Sequence, residues 1–184
     1  MNLPNKLTLV RIALVPLCLI LIGCGWYFVA ALVFATAAIT DAMDGHIARK
    51  NNLVTNFGKF ADPIADKILT VSTLMMMSSR GLLSVWVPVI VVIRELMVDG
   101  LRLIALEKGR VVAAGKSGKI KTVFQMVTIL FTLAINVPLI ARILYFDLSV
   151  LVVLLSIATC VLTVYSGAEY FYHLRDLFEK DLKK

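Results

Sequence analysis

The chain is a succession of long apolar runs broken by short polar stretches. Six runs stand out, at residues 7–25, 26–48, 62–81, 84–106, 118–140 and 144–171. A helix of about 20 apolar residues crosses the hydrocarbon core of a bilayer. The pattern therefore predicts an all-α polytopic membrane protein with six transmembrane helices. The opening MNLPNKLTLVRI places Pro4 ahead of the first run and predicts a short N-terminal interfacial segment. Several runs contain charges, so the loops set the topology. Lys6, Arg11, Arg49, Lys50 and Lys59 fall on one side, as do Lys108, Arg110, Lys116, Lys119, Lys121, Arg175, Lys180, Lys183 and Lys184. The other side carries Arg80 and Arg142. The excess of positive charge in cytoplasmic loops then puts both termini, and the loops after the second and fourth spans, in the cytoplasm. With no internal repeat, linker or low-complexity tract, residues 1–184 read as one membrane domain.

Composition agrees with this reading. Of 184 residues, 60% are hydrophobic, and the mean hydropathy is +0.90. A soluble domain of this size needs more polar surface. The first run lacks a small-residue cleavage site and leads straight into the second, so no cleavable signal peptide is expected. Cys18, Cys24 and Cys160 lie in or beside apolar runs without metal-ligand spacing, and read as small hydrophobes. The net charge of +7 points to anionic lipid headgroups as the partner surface, with no nucleic acid expected.

The chemistry concentrates in DAMDGHIARKNNLVTNFGKFADPIAD, residues 41–66. Asp41 and Asp44 are spaced i, i+3, and Asp62 and Asp66 are spaced i, i+4. On helices each pair shares one face. Two such faces brought together make a four-carboxylate cage, which hard divalent cations bound through oxygen would neutralise. Gly45 and Gly58 flank it. Either alone reads as close helix packing; beside the cage they read as room for a bulky substrate. Arg49 suits an anionic group held at the metals, because a guanidinium binds phosphate in a fork. Its bland alternative is a positive-inside anchor.

A second set is cationic. Arg94 lies deep in the fourth span, where charge is expensive and usually functional. Arg102 follows by two turns on about the same face. The adjacent Glu95 is expected to point to a different face. Lys116, Lys119 and Lys121 open the fifth span, where a helix N-terminus and lysines suit phosphate. Topology alone would explain Lys116 equally well. Tyr165, Ser166, Glu169 and Tyr170 read as packing and interface residues. Together the two sets point to a lipid-linked phosphate handled at the cytoplasmic surface.

The signature Asp41-x2-Asp44-Gly45-x2-Ala48-Arg49-x8-Gly58-x3-Asp62-x3-Asp66 resembles that of the CDP-alcohol phosphotransferases. All eight positions are filled at the right spacing, and the likeness runs through nearly the whole chain. NLPNKLTLVRI, IRELMVDGLRL and GKSGKIKT look like the phosphatidylglycerophosphate synthase branch. The resemblance implies attack by the 1-hydroxyl of sn-glycerol 3-phosphate on CDP-diacylglycerol, with release of CMP. It implies a homodimer of six-span subunits in a bacterial inner membrane, using two divalent ions, Mg2+ or Mn2+. Asp41, Asp44, Asp62 and Asp66 would hold the metals, with Asp62 and Asp66 catalytic and Asp66 the general base. Asp44, Gly45, Ala48, Arg49 and Gly58 would form the CDP pocket. From charge and position, Arg94, Arg102, Lys119 and Lys121 would hold the acceptor phosphate, joined by Thr8, Arg11 and Lys59.

Three rivals remain. A sibling transferase would use serine, inositol phosphate or phosphatidylglycerol, and a neutral acceptor would not need the extra cations. A cation transporter would use intramembrane aspartates, but these cluster at the cytoplasmic boundary and no inverted repeat accompanies them. A structural membrane protein would merely pair its aspartates with Lys59 and Lys67.

Overall fold

The computed structural model describes the backbone of residues 3–50, 56–110, 112 and 115–176. Within these, the side chains of 3–6, 41–50, 56–57, 59–60, 139 and 141–147 lie outside the description. The described residues form six α-helices and no strand: α1 (Leu3–Gly23), α2 (Tyr27–Lys50), α3 (Asn56–Ser79), α4 (Trp86–Glu107), α5 (Lys116–Ile135) and α6 (Pro138–Leu174).

The helix ends follow from local chemistry. Gly25 and Gly81 take positive φ, 78° and 71°, just past α1 and α3. That conformation lets the following N–H groups reach back to the last carbonyls. Trp26 N–H bonds Leu21 O at 2.9 Å, and Leu82 N–H bonds Met77 O at 2.9 Å. Pro138 sits at the start of α6, after extended Val137. A proline disfavours helix at the residue before it but suits the first helical turn. This ends α5 at Ile135, earlier than the hydropathy pattern predicts, and starts α6 earlier too. At the other edge, α3 begins at Asn56, ahead of Asp62, so Gly58 and Lys59 are helical. The N-terminal segment is not a separate element, since α1 runs unbroken from Leu3 through Pro16.

Two triplets of helices pack together. α1 contacts both α2 and α3, and α6 contacts both α4 and α5. Contacts of α2 with α5, and of α3 with α4 and α5, join the triplets. Phe34, Leu69, Leu74, Val91, Ile129 and Leu133 are among the buried apolar side chains between them. Much of the interior is nonetheless polar: Thr70, Thr73, Thr128, Thr132, Thr159, Thr163 and Ser166 are buried. Trp26, Phe28, Trp86, Leu96, Leu103 and Val161 are exposed. Hydroxyls inside and large apolar groups outside are the pattern of helices packed in lipid. Some of these hydroxyls bond carbonyls of their own helix, as Thr70 does to Asp66 O and Thr163 to Thr159 O, and one pair joins two helices, the 2.8 Å bond between Thr128 of α5 and Thr159 of α6.

Among the described residues, two segments are long and apolar enough to cross a membrane. Lys116–Ile135 has a mean hydropathy of 1.4, and Leu148–Leu174 has 2.5. α1 and α2 hold the shorter apolar helices Leu7–Gly23 and Tyr27–Thr40. α3 and α4 are interrupted by charge: Asp62, Asp66 and Lys67 on one, Arg94, Glu95, Asp99 and Arg102 on the other. Those interruptions face each other and make the site.

Candidate active site

The acidic side is built on α3. Asp62 and Asp66 are one helical turn apart and half-buried. From α1, the buried hydroxyl of Thr8 donates to Asp62 Oδ1 at 2.6 Å. Such a short bond to a carboxylate is charge-assisted and fixes its orientation. Arg11, one turn along α1, is fully buried. Thr8 and Arg11 thus belong to the α1–α3 wall, and neither lines the cavity that collects the other predicted cations. Gly58 is buried on α3. Asp41, Asp44, Gly45, Ala48 and Arg49 occupy the last turns of α2, a continuous helix to Lys50. Their side chains, and that of Lys59, lie outside the described residues. No group of three or more His, Cys, Asp or Glu assembles among the described residues. The described part of the predicted cage is Asp62 and Asp66. Carboxylate oxygen is the donor type that Mg2+ and Mn2+ take, so the donor chemistry fits.

The basic side is a cavity of about 210 Å³ between α3, α4 and α5. Asp66 forms its acidic wall. Arg94, Arg102, Lys119 and Lys121, singled out from charge and position, all line it. Lys67 lines it as well.

Glu95 organises this wall, contrary to the expectation that it faces away. Its carboxylate bonds Lys121 Nζ, and lies 3.4 Å from Arg94 Nη1 and 3.7 Å from Lys67 Nζ. Neighbouring helix positions do diverge at Cβ, but an arginine is long enough to fold back onto the next residue. Lys67 also pairs with Asp99, so Lys67 bridges α3 to two carboxylates of α4.

Two residues read as packing hold the arginines instead. Arg94 Nε donates to Ser166 Oγ at 3.1 Å, and Arg102 Nε donates to Tyr170 Oη at 3.2 Å. Arg102 also lies 5.6 Å from the centre of the Tyr170 ring, within cation–π range. Gly118 and Gly167 leave room for Arg94. A Cβ at Gly118 would meet Arg94 Nη2 at 3.4 Å, and one at Gly167 would meet Arg94 Cγ at 3.2 Å. Glu169 lines an adjoining cavity of about 120 Å³ that shares Arg94 and Arg102. Tyr165 is exposed, as an interface residue should be. Among the described residues, Lys119 and Arg102 have no acidic partner, which leaves their charges available at the mouth.

Sequence reasoning passed over Gln125. It is buried on α5 and lines the same cavity. Its signal was a lone amide in the apolar stretch VFQMVTILF, one turn beyond Lys121.

Comparison with known proteins bears on this geometry. The family model for CDP-alcohol phosphatidyltransferase matches residues 1–165. A CDP-diacylglycerol–glycerol-3-phosphate 3-phosphatidyltransferase of Bacillus subtilis is 39% identical over 186 residues, covering 92% of this chain and 93% of the relative. A probable phosphatidylglycerophosphate synthase of Mycobacterium tuberculosis is 42% identical over 184 residues, covering 96% and 83%. A CDP-diacylglycerol–glycerol-3-phosphate 3-phosphatidyltransferase of Rickettsia bellii is 39% identical over 183 residues, covering 96% and 97%. With an acidic wall against a basic cavity, and a family match over most of its length, the chain belongs to the CDP-alcohol phosphatidyltransferase family.

Proposed function

We propose that this protein transfers the phosphatidyl group of CDP-diacylglycerol to sn-glycerol 3-phosphate, giving phosphatidylglycerophosphate and CMP for phospholipid synthesis. The observation that carries this reading is the single cavity lined by Asp66 and by Arg94, Arg102, Lys119 and Lys121. A general base and a phosphate-binding surface share one small space, as an acceptor bearing both a hydroxyl and a phosphate requires. The names of the relatives at about 40% identity support the same acceptor.

In this scheme Asp66 takes the proton from the acceptor 1-hydroxyl. The freed oxygen bonds the phosphorus that carries diacylglycerol, the bond from that phosphorus to the bridging oxygen breaks, and CMP leaves with the bridging oxygen. Asp41, Asp44, Asp62 and Asp66 would hold two divalent ions, Mg2+ or Mn2+, which when bound supply charge stabilisation at the diphosphate. Thr8 keeps Asp62 oriented, a role closer to the acidic wall than to the acceptor phosphate. Asp44, Gly45, Ala48, Arg49 and Gly58 surround the CDP moiety. Arg102 and Lys119 meet the acceptor phosphate first, with Arg94 behind them and Lys121 held by Glu95. Arg11 and Lys59 supply further positive charge near the carboxylates.

The protein works as a single six-span domain in the bacterial cytoplasmic membrane, as a homodimer, with termini and site on the cytoplasmic face. The exposed apolar exterior and the one-sided placement of Lys and Arg support this orientation. The test is product identification by mass spectrometry. Purified protein in detergent receives CDP-diacylglycerol and Mg2+ with glycerol 3-phosphate, serine, inositol phosphate or phosphatidylglycerol, each with and without EDTA. Phosphatidylglycerophosphate from the first alone, abolished by EDTA, is expected. A product from another acceptor would overturn the assignment of the cationic cavity.

A further inference from the structure

The polar residues of α5 form one stripe. Lys121, Gln125, Thr128 and Thr132 are all buried and follow one another at helical spacing. Their polar atoms are met differently, and Thr132 Oγ1, away from the cavity, has no hydrogen-bond partner among the described residues. Lys121 is held by Glu95. Thr128 bonds Phe124 O at 2.8 Å and Thr159 Oγ1 at 2.8 Å. Gln125 lies between them, 3% exposed, and its Oε1 has no hydrogen-bond partner among the described residues. It lines the cavity shared by Asp66 and the cations, whereas Thr128 does not. A buried amide oxygen without a donor destabilises a fold, and an apolar residue of the same shape would avoid the cost. What sets Gln125 apart from the Thr73 and Thr132 hydroxyls, also unpartnered among the described residues, is its place in the lining of the cavity, where a ligand can bring a donor.

The cavity says which donor. Arginine, lysine and a carboxylate take up two features of a glycerol phosphate, its phosphate and its reacting hydroxyl. A third polar feature remains, the hydroxyl on the middle carbon. We infer that Gln125 accepts a hydrogen bond from the C2 hydroxyl of the acceptor and so reads its handedness. This rests on the transferase reading above and goes beyond it by assigning a residue to acceptor selection. With phosphate and reacting hydroxyl both fixed, the two enantiomers of glycerol phosphate differ in which side of C2 carries oxygen. One contact on one side of the cavity is enough to tell them apart. In the mirror-image acceptor a hydrogen would face Gln125, and the C2 hydroxyl would face the opposite wall.

The experiment measures CMP release at saturating CDP-diacylglycerol and Mg2+ with three acceptors. They are sn-glycerol 3-phosphate, its enantiomer sn-glycerol 1-phosphate, and 3-hydroxypropyl phosphate, which lacks the C2 hydroxyl. The wild-type protein is expected to favour the first over the other two by roughly 10- to 100-fold in kcat/KM, the worth of one buried hydrogen bond left unmade. Gln125→Met, close in shape and without the amide, should lose that factor with sn-glycerol 3-phosphate, yet stay within about twofold of wild type with 3-hydroxypropyl phosphate. The KM for CDP-diacylglycerol should not move. An equal loss with all three acceptors would mean that Gln125 serves packing or holds a buried water, and would overturn the inference. So would a Gln125→Met protein that keeps the wild-type preference. If the variant does not fold, the wild-type ratios decide alone: equal rates with sn-glycerol 3-phosphate and 3-hydroxypropyl phosphate refute a C2 contact. An absence of CMP release from wild type with sn-glycerol 3-phosphate would instead strike the transferase reading itself.

Discussion

Glu95→Gln is the most informative single change in the cationic wall. The carboxylate is 15% exposed and the Lys121 side chain it holds is 5% exposed. The substitution keeps shape and removes charge. It leaves the Lys121 ammonium buried without its counter-ion, with Arg94 and Lys67 still nearby. Breaking a buried pair by removing one partner costs about 3–5 kcal/mol. Lys67 contributes little to that loss, because Asp99 still holds it. Lys121→Met should be destabilising as well, since it leaves the Glu95 carboxylate with only its longer contacts to Arg94 and Lys67. The double variant should recover much of the cost, because neither charge is then stranded. The coupling energy should lie near the upper part of the range of about 0.5–3 kcal/mol found for residues in contact. The assay is equilibrium unfolding in mixed micelles, following the fluorescence of Trp26 and Trp86, for wild type, both single variants and the double. Single-variant costs that add to within about 0.5 kcal/mol would refute the hub.

Two further perturbations follow from the geometry. Thr8→Val removes the 2.6 Å bond to Asp62; a bond to a charged group contributes about 1.5–3 kcal/mol, so kcat should fall about tenfold or more, with KM for glycerol 3-phosphate little changed. Steady-state kinetics check this split, and an unchanged kcat would remove Thr8 from the acidic wall. Gly167→Ala places a methyl 3.2 Å from Arg94 Cγ, so Arg94 must shift and the KM for glycerol 3-phosphate should rise several-fold. The same change should leave the KM for CDP-diacylglycerol alone; equal effects on both would show a general packing defect.

The parts of this site that were legible in the sequence are those carried by one helix. The spacing of Asp62 and Asp66, the two-turn spacing of Arg94 and Arg102, and the lysines opening α5 are each carried by a single helix, and of these residues Asp66, Arg94, Arg102, Lys119 and Lys121 line one cavity. What remained hidden depends on contacts between helices. Thr8 meets Asp62, Ser166 meets Arg94, and Tyr170 meets Arg102 across long stretches of chain. No local pattern encodes those pairs. The role of Gly167 is likewise visible only once α6 lies against Arg94. Glu95 was misjudged because face arguments concern Cβ directions and not the reach of a guanidinium. Helix limits shifted where proline and charge outweighed hydropathy: Pro138 cut α5 short, and the charged half of α3 proved helical from Asn56.

The most direct test of the central claim separates the two walls of the cavity in one kinetic experiment. CMP release is measured for Asp66→Asn and for Lys119→Ala, with glycerol 3-phosphate and CDP-diacylglycerol each varied. The account predicts that Asp66→Asn loses nearly all turnover in protein that still elutes as folded. It predicts that Lys119→Ala keeps much of its kcat while its KM for glycerol 3-phosphate rises and its KM for CDP-diacylglycerol holds. Near-normal turnover in Asp66→Asn, or an unmoved KM for glycerol 3-phosphate in Lys119→Ala, would contradict the assignment of base and acceptor to this cavity.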